Sequence, residues 1–348
     1  MKKSLYSQFM KIHREELIQK AIRDFGKTPR QAAEAFDKLY ELDRKTFDEI
    51  VYKIKISGGN LGRIALNTGL DLETLLRLMR VLVKSGIVKI DRNGRVRTQE
   101  SNSKGEKRVK LKNNPIKPNL NLDQHPCTMD SSIRLVRKIV SDMPQDGNKI
   151  LFLGDDDLMS VFMASASDME VHALDYDGKT LALIRRIAKE NGLSIHTHKV
   201  DLIKGLPNTL KNRFDAFVSG PSWNAKSVKL FAYRGWEALK KERGCKGYLF
   251  FSPFVVSNRL LEVQRFINSM GFQFEEIATA FKRYHLLWDY SESDSIRRFA
   301  NDTKSNVSEF KKHFFLLSAL FLLKLFDVQC GRKIKIDSDK IYDYYSID

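Results

Sequence analysis

A chain of 348 residues exceeds the usual size of one domain, so two domains of unequal size are expected, and an apolar share of 42% is enough to fill packed cores. Cys127, Cys245 and Cys330 lie far apart with no paired spacing, which argues against a disulfide framework and a zinc ribbon and implies a reducing, cytoplasmic setting. The formal net charge of +17 is compatible with an anionic partner, nucleic acid or an acidic membrane face, and equally with a merely lysine-rich surface.

The opening stretch MKKSLYSQFMKIHREE has basic residues but no continuous apolar segment behind them, unlike a secretory signal. Helical spacing runs from Phe9 to Phe25, and a second helical segment follows Thr28-Pro29 through Phe36 and Leu39. Lys45 to Ile56 reads as a helix, Asn60 to Leu66 as a short one closed by Gly69, and Leu72 to Ser85 as a third, capped by Asp71 and ended by Gly86. Ile87 to Ile90 and Arg95 to Thr98 then alternate around Asn93-Gly94, the turn pair most favoured for a hairpin. Three helices followed by a hairpin predict a winged-helix domain over residues 1–100, which either places its third helix in DNA or serves as a packing module.

Residues 101–122 are polar and basic, carry Pro115 and Pro118, and read as a linker. From 123 to 348 the pattern is that of an α/β, Rossmann-like domain with a mostly parallel sheet. A helix at Met129 to Met143 precedes a first strand, Lys149 to Leu153. Strands at Glu170 to Leu174, Ser194 to Val200, Phe214 to Ser219 and Gly247 to Ser252 follow, with helices at Lys179 to Asn191, Ser227 to Lys240 and Ser257 to Met270. Phe274 to Tyr284 and Ala319 to Asp327 supply a closing strand pair, and the charged stretch from Trp288 to Phe310 is expected to be a long loop. The longest apolar run, Phe314 to Phe326, is well short of the ~20 residues a spanning helix needs and contains Lys324, so it reads as a buried strand or helix and no membrane association is expected.

Chemistry concentrates where the first strand meets Gly154-Asp155-Asp156-Asp157-Leu158. The carboxyl edge of a parallel sheet is where such folds bind ligands, and Gly154 allows close approach of a nucleoside. Three adjacent carboxylates would repel a phosphate, attract an amine or sulfonium, and raise at least one pKa. A solvated acidic helix start accounts for one or two acids, less well for three directly after a buried strand. Asp175, ending the second strand, is placed for a ribose, and Asp201, ending the third, for an adenine amino group.

Asp123-Gln124 through Thr128, the helix with Arg134, the GDDDL turn and the LDYD strand end together resemble the branched-chain polyamine synthases, over most of residues 85 to 290. The resemblance implies a winged-helix domain, a Rossmann-like catalytic domain, and aminopropyl transfer from decarboxylated S-adenosylmethionine, a co-substrate rather than a resident cofactor, to the internal nitrogen of spermidine. By the same resemblance Gly154, Asp155, Asp175 and Asp201 fall in the donor site, and Asp156 and Asp157 face the acceptor, where Asp157 would orient the amine and take its proton. Where the family has an acid, Pro-Pro and an aromatic after strand four, this chain reads Ser219-Gly220-Pro221-Ser222-Trp223, with Gly220 in place of the acid. That departure implies a different acceptor or impaired turnover, while Trp223 still offers an aromatic wall to a cation.

Two other functions stay open: a methyltransferase on the same cofactor frame, and a DNA-binding regulator reading through Arg77, Arg80 and Lys84, with weak non-specific nucleic-acid binding as the milder form. A homo-oligomer is the expected assembly. His196 and His198 share a strand face as metal ligands do, but no third ligand is evident, so ordinary strand histidines and no metal are expected. Ser222 and Ser252 lack an elbow glycine pattern and a base, which argues against hydrolase chemistry. Tyr284, His285, Trp288 and Tyr290 form either a lid or the packing under a loop.

Overall fold

Ile150-Leu151-Phe152-Leu153 is apolar without alternation because strand β4 (Lys149–Leu153) is covered on both faces, as buried parallel strands are. Around it the computed structural model builds a seven-stranded sheet. The structure describes residues 4–25, 28–31, 33, 44–57, 59–92, 95–98, 109, 115–117, 119, 124–144, 147–285, 294–304, 306 and 315–330. Two compact units result, 1–105 with 141–144, and 106–140 with 145–348.

In the first unit, helices α1 (Leu5–Phe25), α2 (Arg44–Ser57), α3 (Leu61–Thr68) and α4 (Leu72–Lys84) bury Phe9, Phe47, Ile54, Ile64, Leu75 and Leu82 against one another. Asn60 and Asp71 cap α3 and α4 by accepting the N–H of Arg63 and Thr74, and Gly69 closes α3 at φ +69°. Strands β1 (Gly59–Asn60), β2 (Val88–Ile90) and β3 (Arg95–Thr98) form a small sheet in the order β1-β3-β2. The Asn93-Gly94 turn, most of the 101–122 segment, and the second helical segment apart from residues 29–31 and 33 lie outside the described residues.

The second unit begins its regular structure with α5 (Met129–Asp142). After β4 come α6 (Met159–Ala166), β5 (Glu170–Asp175), α7 (Gly178–Glu190), β6 (Ile195–Lys199), β7 (Ala216–Ser219), α8 (Ala225–Ala238), β8 (Lys246–Phe251), α9 (Leu260–Ser269), β9 (Phe272–His285), α10 (Asp294–Thr303) and β10 (Phe315–Leu325). The sheet order is β6-β5-β4-β7-β8-β10-β9, with β4 to β8 parallel and β10 antiparallel between β8 and β9. From β4 the chain winds outward to β6, then crosses to β7 on the other side, so the carboxyl ends of β4 and β7 flank the crevice where such sheets take ligands.

The core packs closely enough to dictate a glycine. Gly235 on α8 lies over the Phe217 ring, which an added Cβ would approach to 2.4 Å. Phe251 and Phe321 stack across β8 and β10 with centroids 4.1 Å apart.

One expectation is corrected and one element was missed. The stretch read as one long loop after β9 contains α10, and α6 was not anticipated at all. Of the apolar run of residues 314–326, Phe315–Leu325 forms strand β10, because β10 lies inside the sheet, where a continuous apolar sequence is buried on both faces. Among the described residues no helix is long and apolar enough to cross a membrane.

Candidate functional site

The GDDDL turn bends sharply at the carboxyl end of β4. Gly154 sits at φ +74° and donates its N–H to the Leu174 carbonyl at 2.8 Å, and Leu158, a fully buried leucine, is held at φ +55°. A left-handed leucine costs conformational energy, and such strain collects where surrounding structure over-determines the backbone at functional sites.

The three aspartates are not equivalent. Asp155 is fully buried and turns its carboxylate onto the start of α6, accepting the N–H of Met159 at 2.8 Å and of Ser160 at 3.1 Å. Burial pushes its pKa up to about 8, against the pull of those N–H donors. Its own N–H donates to Asp175 Oδ2 at 3.0 Å. Asp155 therefore shapes the turn with its side chain and joins β4 to β5 with its backbone. Asp156, partly exposed at the surface of the turn, has its pKa raised by burial and by the Asp157 charge beside it.

Asp157 is buried, and each of its oxygens receives a donor: the Cys127 N–H at 2.5 Å on Oδ1 and the Lys282 ammonium at 2.5 Å on Oδ2. A carboxylate oxygen carries two lone pairs, so both oxygens keep acceptor capacity. Lys282 is fully buried, lies 4.3 Å from the centroid of the Phe250 ring, and would stand 3.8 Å from a Cβ on Gly220. Burial works against its charge, but Asp157, with Tyr284 and Cys127 beside it, outweighs burial and lifts the ammonium's pKa above the usual lysine value.

Asp175 accepts the N–H of Asp177 at 2.8 Å as well as that of Asp155, and burial raises its pKa. Asp201 follows β6 and closes a small turn by accepting the Ile203 N–H at 3.0 Å, while the Val200 N–H bonds the Asp175 carbonyl. Trp223 is half-buried and meets the Tyr284 ring edge-on at 5.5 Å.

His125, Cys127 and Thr128 complete the site by lying along β9. Cys127 bridges Tyr284, the Thr128 N–H donates to the Arg283 carbonyl at 2.8 Å, and Arg134 donates to the Phe281 carbonyl. Burial and the nearby Asp157 push the Cys127 thiol well up, which keeps it protonated and poorly suited to act as a nucleophile. Asp123, Trp288 and Tyr290 lie outside the described residues. Tyr284 belongs to β9 and is buried, so it is part of the site's wall rather than of a loop.

The structure thus brings Asp155, Asp156, Asp157 and Asp175 around one sheet edge. Asp155 differs most from the sequence reading, since its carboxylate serves a helix start. Sequence reasoning missed Lys282, Cys127 and Phe250. A lone lysine in a strand reads as solvent-facing, and nothing local marks its pairing with an acid 125 residues away.

Along the outer strands β5 and β6, His172 and Glu170 lie beside His196 and His198. His172 Nδ1 is 2.9 Å from His198 Nε2, and its Nε2 is 2.8 Å from Glu170 Oε1.

A family profile described as the C-terminal domain of branched-chain polyamine synthase A matches residues 106–345. The chain belongs to that family. It is 28% identical over 224 residues to an N(4)-bis(aminopropyl)spermidine synthase of Thermococcus kodakarensis, an alignment covering 62% of this chain and 63% of that protein. It is 30% identical over 234 residues to an uncharacterized protein of Methanocaldococcus jannaschii, covering 67% of this chain and 59% of the other. The chain thus spans about three-fifths of the length of these curated relatives. In fold it is similar to a branched-chain polyamine synthase mutein from Thermus thermophilus solved with N4-aminopropylspermidine and 5'-methylthioadenosine, with a TM-score of 0.52, 19% identity, and coverage of 93% of this chain and 95% of that one.

Proposed function

We propose that this member of the family transfers an aminopropyl group from decarboxylated S-adenosylmethionine to the internal amine of spermidine. The carrying observation is the acidic edge formed by Asp155, Asp156, Asp157 and Asp175 at the ends of β4 and β5, where burial and mutual repulsion raise the pKa of Asp156 and burial that of Asp175. Such an edge favours a sulfonium donor that has lost its carboxylate and an acceptor made of amines, and it disfavours intact S-adenosylmethionine. This counts against the methyltransferase reading.

In this reading Gly154, Asp175 and Asp201 line the donor site. Asp175 receives a ribose hydroxyl, and the Asp155 main chain carries the turn. Asp156 and Asp157 face the acceptor, with Trp223 and Tyr284 as an aromatic wall for its cationic arms. Held from both sides, Asp157 presents its remaining lone pairs to the reacting amine, aligns it on the carbon next to sulfur, and takes its proton as the carbon–nitrogen bond forms.

We read the first unit as a winged-helix module. Its α4 is poorly disposed to read DNA, since Arg77 is buried and donates to Glu16 at 2.7 Å and Glu73 at 3.1 Å, and Arg80 also pairs with Glu16. Among the described residues, Lys84 alone of the three named cations is exposed without such a pairing.

Purified protein incubated with either nucleoside donor and a panel of polyamines, followed by mass spectrometry, tests the reaction. The expected outcome is methylthioadenosine release and a spermidine carrying an added aminopropyl unit, only with the decarboxylated donor. Methylated products, or no product with any amine, would overturn it.

A further inference from the structure

We propose that Lys282 limits this chain to one aminopropyl addition on the acceptor nitrogen, so that it releases a tertiary amine and does not go on to a quaternary one. The inference rests on the proposed reaction and on the placement of a fixed cation beside Asp157.

That placement is built into the fold. Between the pairs Ser318↔Lys282 and Leu320↔Ala278, β9 spends four residues where β10 spends two, and Ala280 in this bulge adopts φ +51°. Bulges re-aim side chains. Here the bulge ends on two consecutive buried residues, Phe281 and Lys282, and the lysine ends on Asp157, over Phe250 and beside Gly220. With no side chain at Gly220, Asp157 is the one carboxylate among the described residues within ion-pairing distance of this ammonium.

In the first transfer the lone pair of a neutral secondary amine attacks the carbon bonded to the sulfonium. A carbon–nitrogen bond forms, the carbon–sulfur bond breaks with its electron pair going to sulfur, and methylthioadenosine leaves. The new ammonium still carries a hydrogen, which it passes to Asp157 or to water, leaving a neutral tertiary amine. A neighbouring cation lowers the pKa of an amine, so Lys282 favours both the neutral nucleophile and the loss of that proton. In a second transfer the tertiary amine would become a nitrogen with four carbon substituents and no proton to lose. Its permanent charge would stand beside Lys282 in a water-poor site, with Asp157 already neutralised, and like charges so placed repel strongly.

The test is a time course with excess donor, read by mass spectrometry, on wild type, Lys282→Arg and Lys282→Gln. Wild type and Lys282→Arg should stop at one addition, and Lys282→Gln, which can still hydrogen-bond Asp157, should raise the ratio of second to first addition by at least about tenfold. Calorimetry with the quaternary amine as ligand, without donor, gives an independent arm in which Lys282→Gln should bind it more tightly than wild type. A wild type that makes the quaternary product as fast as the tertiary one, or a ratio unchanged in Lys282→Gln, would overturn the inference. Should no variant transfer any group, the proposed reaction is wrong and the calorimetric arm decides alone: tighter binding by Lys282→Gln upholds charge exclusion, equal binding refutes it.

A different observation carries a second inference, that the side-chain cluster on one face of β5 and β6 binds a divalent transition-metal ion. His172 on β5 stands directly opposite His196 on β6, and Glu170 shares the face of His172 two residues earlier. Their ligand atoms lie within 4.8 Å of one another. The 2.8 Å contact of His172 Nε2 with Glu170 Oε1 is close to the ~3.3 Å that two ligands of one tetrahedral ion keep, so an ion can replace the proton between them with little movement. His198 holds the other nitrogen of His172, as outer partners of metal-bound histidines do, and Lys149 holds the other oxygen of Glu170. His196 is exposed, which leaves a route in and a place for water as the fourth ligand. Untagged protein titrated with Zn(II) in a calorimeter, and with Co(II) followed by visible absorption, should bind one ion per chain with micromolar affinity. His196→Ala, at an exposed position, should weaken this at least about tenfold while melting like wild type. No saturable binding, or equal affinity in His196→Ala, would sink the site.

Discussion

Asp157→Asn is expected to remove most turnover, roughly 10²- to 10⁴-fold as for loss of a positioned base, and at the same time to lower stability. The second effect follows from Lys282. The pair is buried, and removing one partner of a buried ion pair typically costs about 3–5 kcal/mol because the other charge is left uncompensated. The midpoint of thermal unfolding should fall by on the order of 10 °C. Binding of methylthioadenosine, measured by calorimetry well below that midpoint, should be nearly unchanged, since in the proposed reaction Asp157 faces the acceptor and the amide preserves its size. Asp157→Asn combined with Lys282→Met removes both charges and should regain much of the lost stability without regaining activity, which separates the structural part of the effect from the chemical part. A single variant that melts and turns over like wild type would remove Asp157 from both roles.

Asp175→Ala should weaken methylthioadenosine binding by about 1–3 kcal/mol, as for loss of a charge-assisted hydrogen bond to the ribose. The structure gives this change a second route, because the carboxylate also accepts the N–H of Asp155 and of Asp177 and so holds the GDDDL turn against the end of β5. Asp175→Asn, which keeps one acceptor oxygen and so one of these two bonds, should lose less. The pH dependence has a definite sign. In the proposed donor site the ionised form accepts the ribose hydroxyl, and burial raises the pKa of Asp175, so donor affinity should decline as pH falls and do so above the ordinary carboxylate range. Calorimetry at a series of pH values measures both effects. Unchanged affinity in Asp175→Ala would refute the donor assignment.

Much of the fold was legible in local sequence because its signals act over a few residues. The uninterrupted apolar run of β4, Gly154 behind it, and the acid ending β5 each mark a strand buried on both faces and opening into a crevice. Asp71 and Gly69 were readable as caps for the same reason: a cap satisfies backbone groups three or four residues away. Helix α6 escaped notice because it follows a left-handed leucine rather than a capping side chain, and its first N–H groups are met by Asp155 from within the preceding turn.

Charge partners were decided by the tertiary structure alone. Arg77 carries the same label in the sequence as any surface arginine, yet folding brings Glu16 onto it from a helix 61 residues earlier and withdraws it from solvent. Lys282 sits in a strand whose alternation assigns no partner, and only the bulge at Ala280 together with the meeting of β9 and the GDDDL turn sets it on Asp157. Burial and counter-charge set the behaviour of an ionisable group, and both are properties of what surrounds it in space. The sequence by itself therefore determined where an acidic edge would form, and the packing of β9 against that edge decided which cation already stands there.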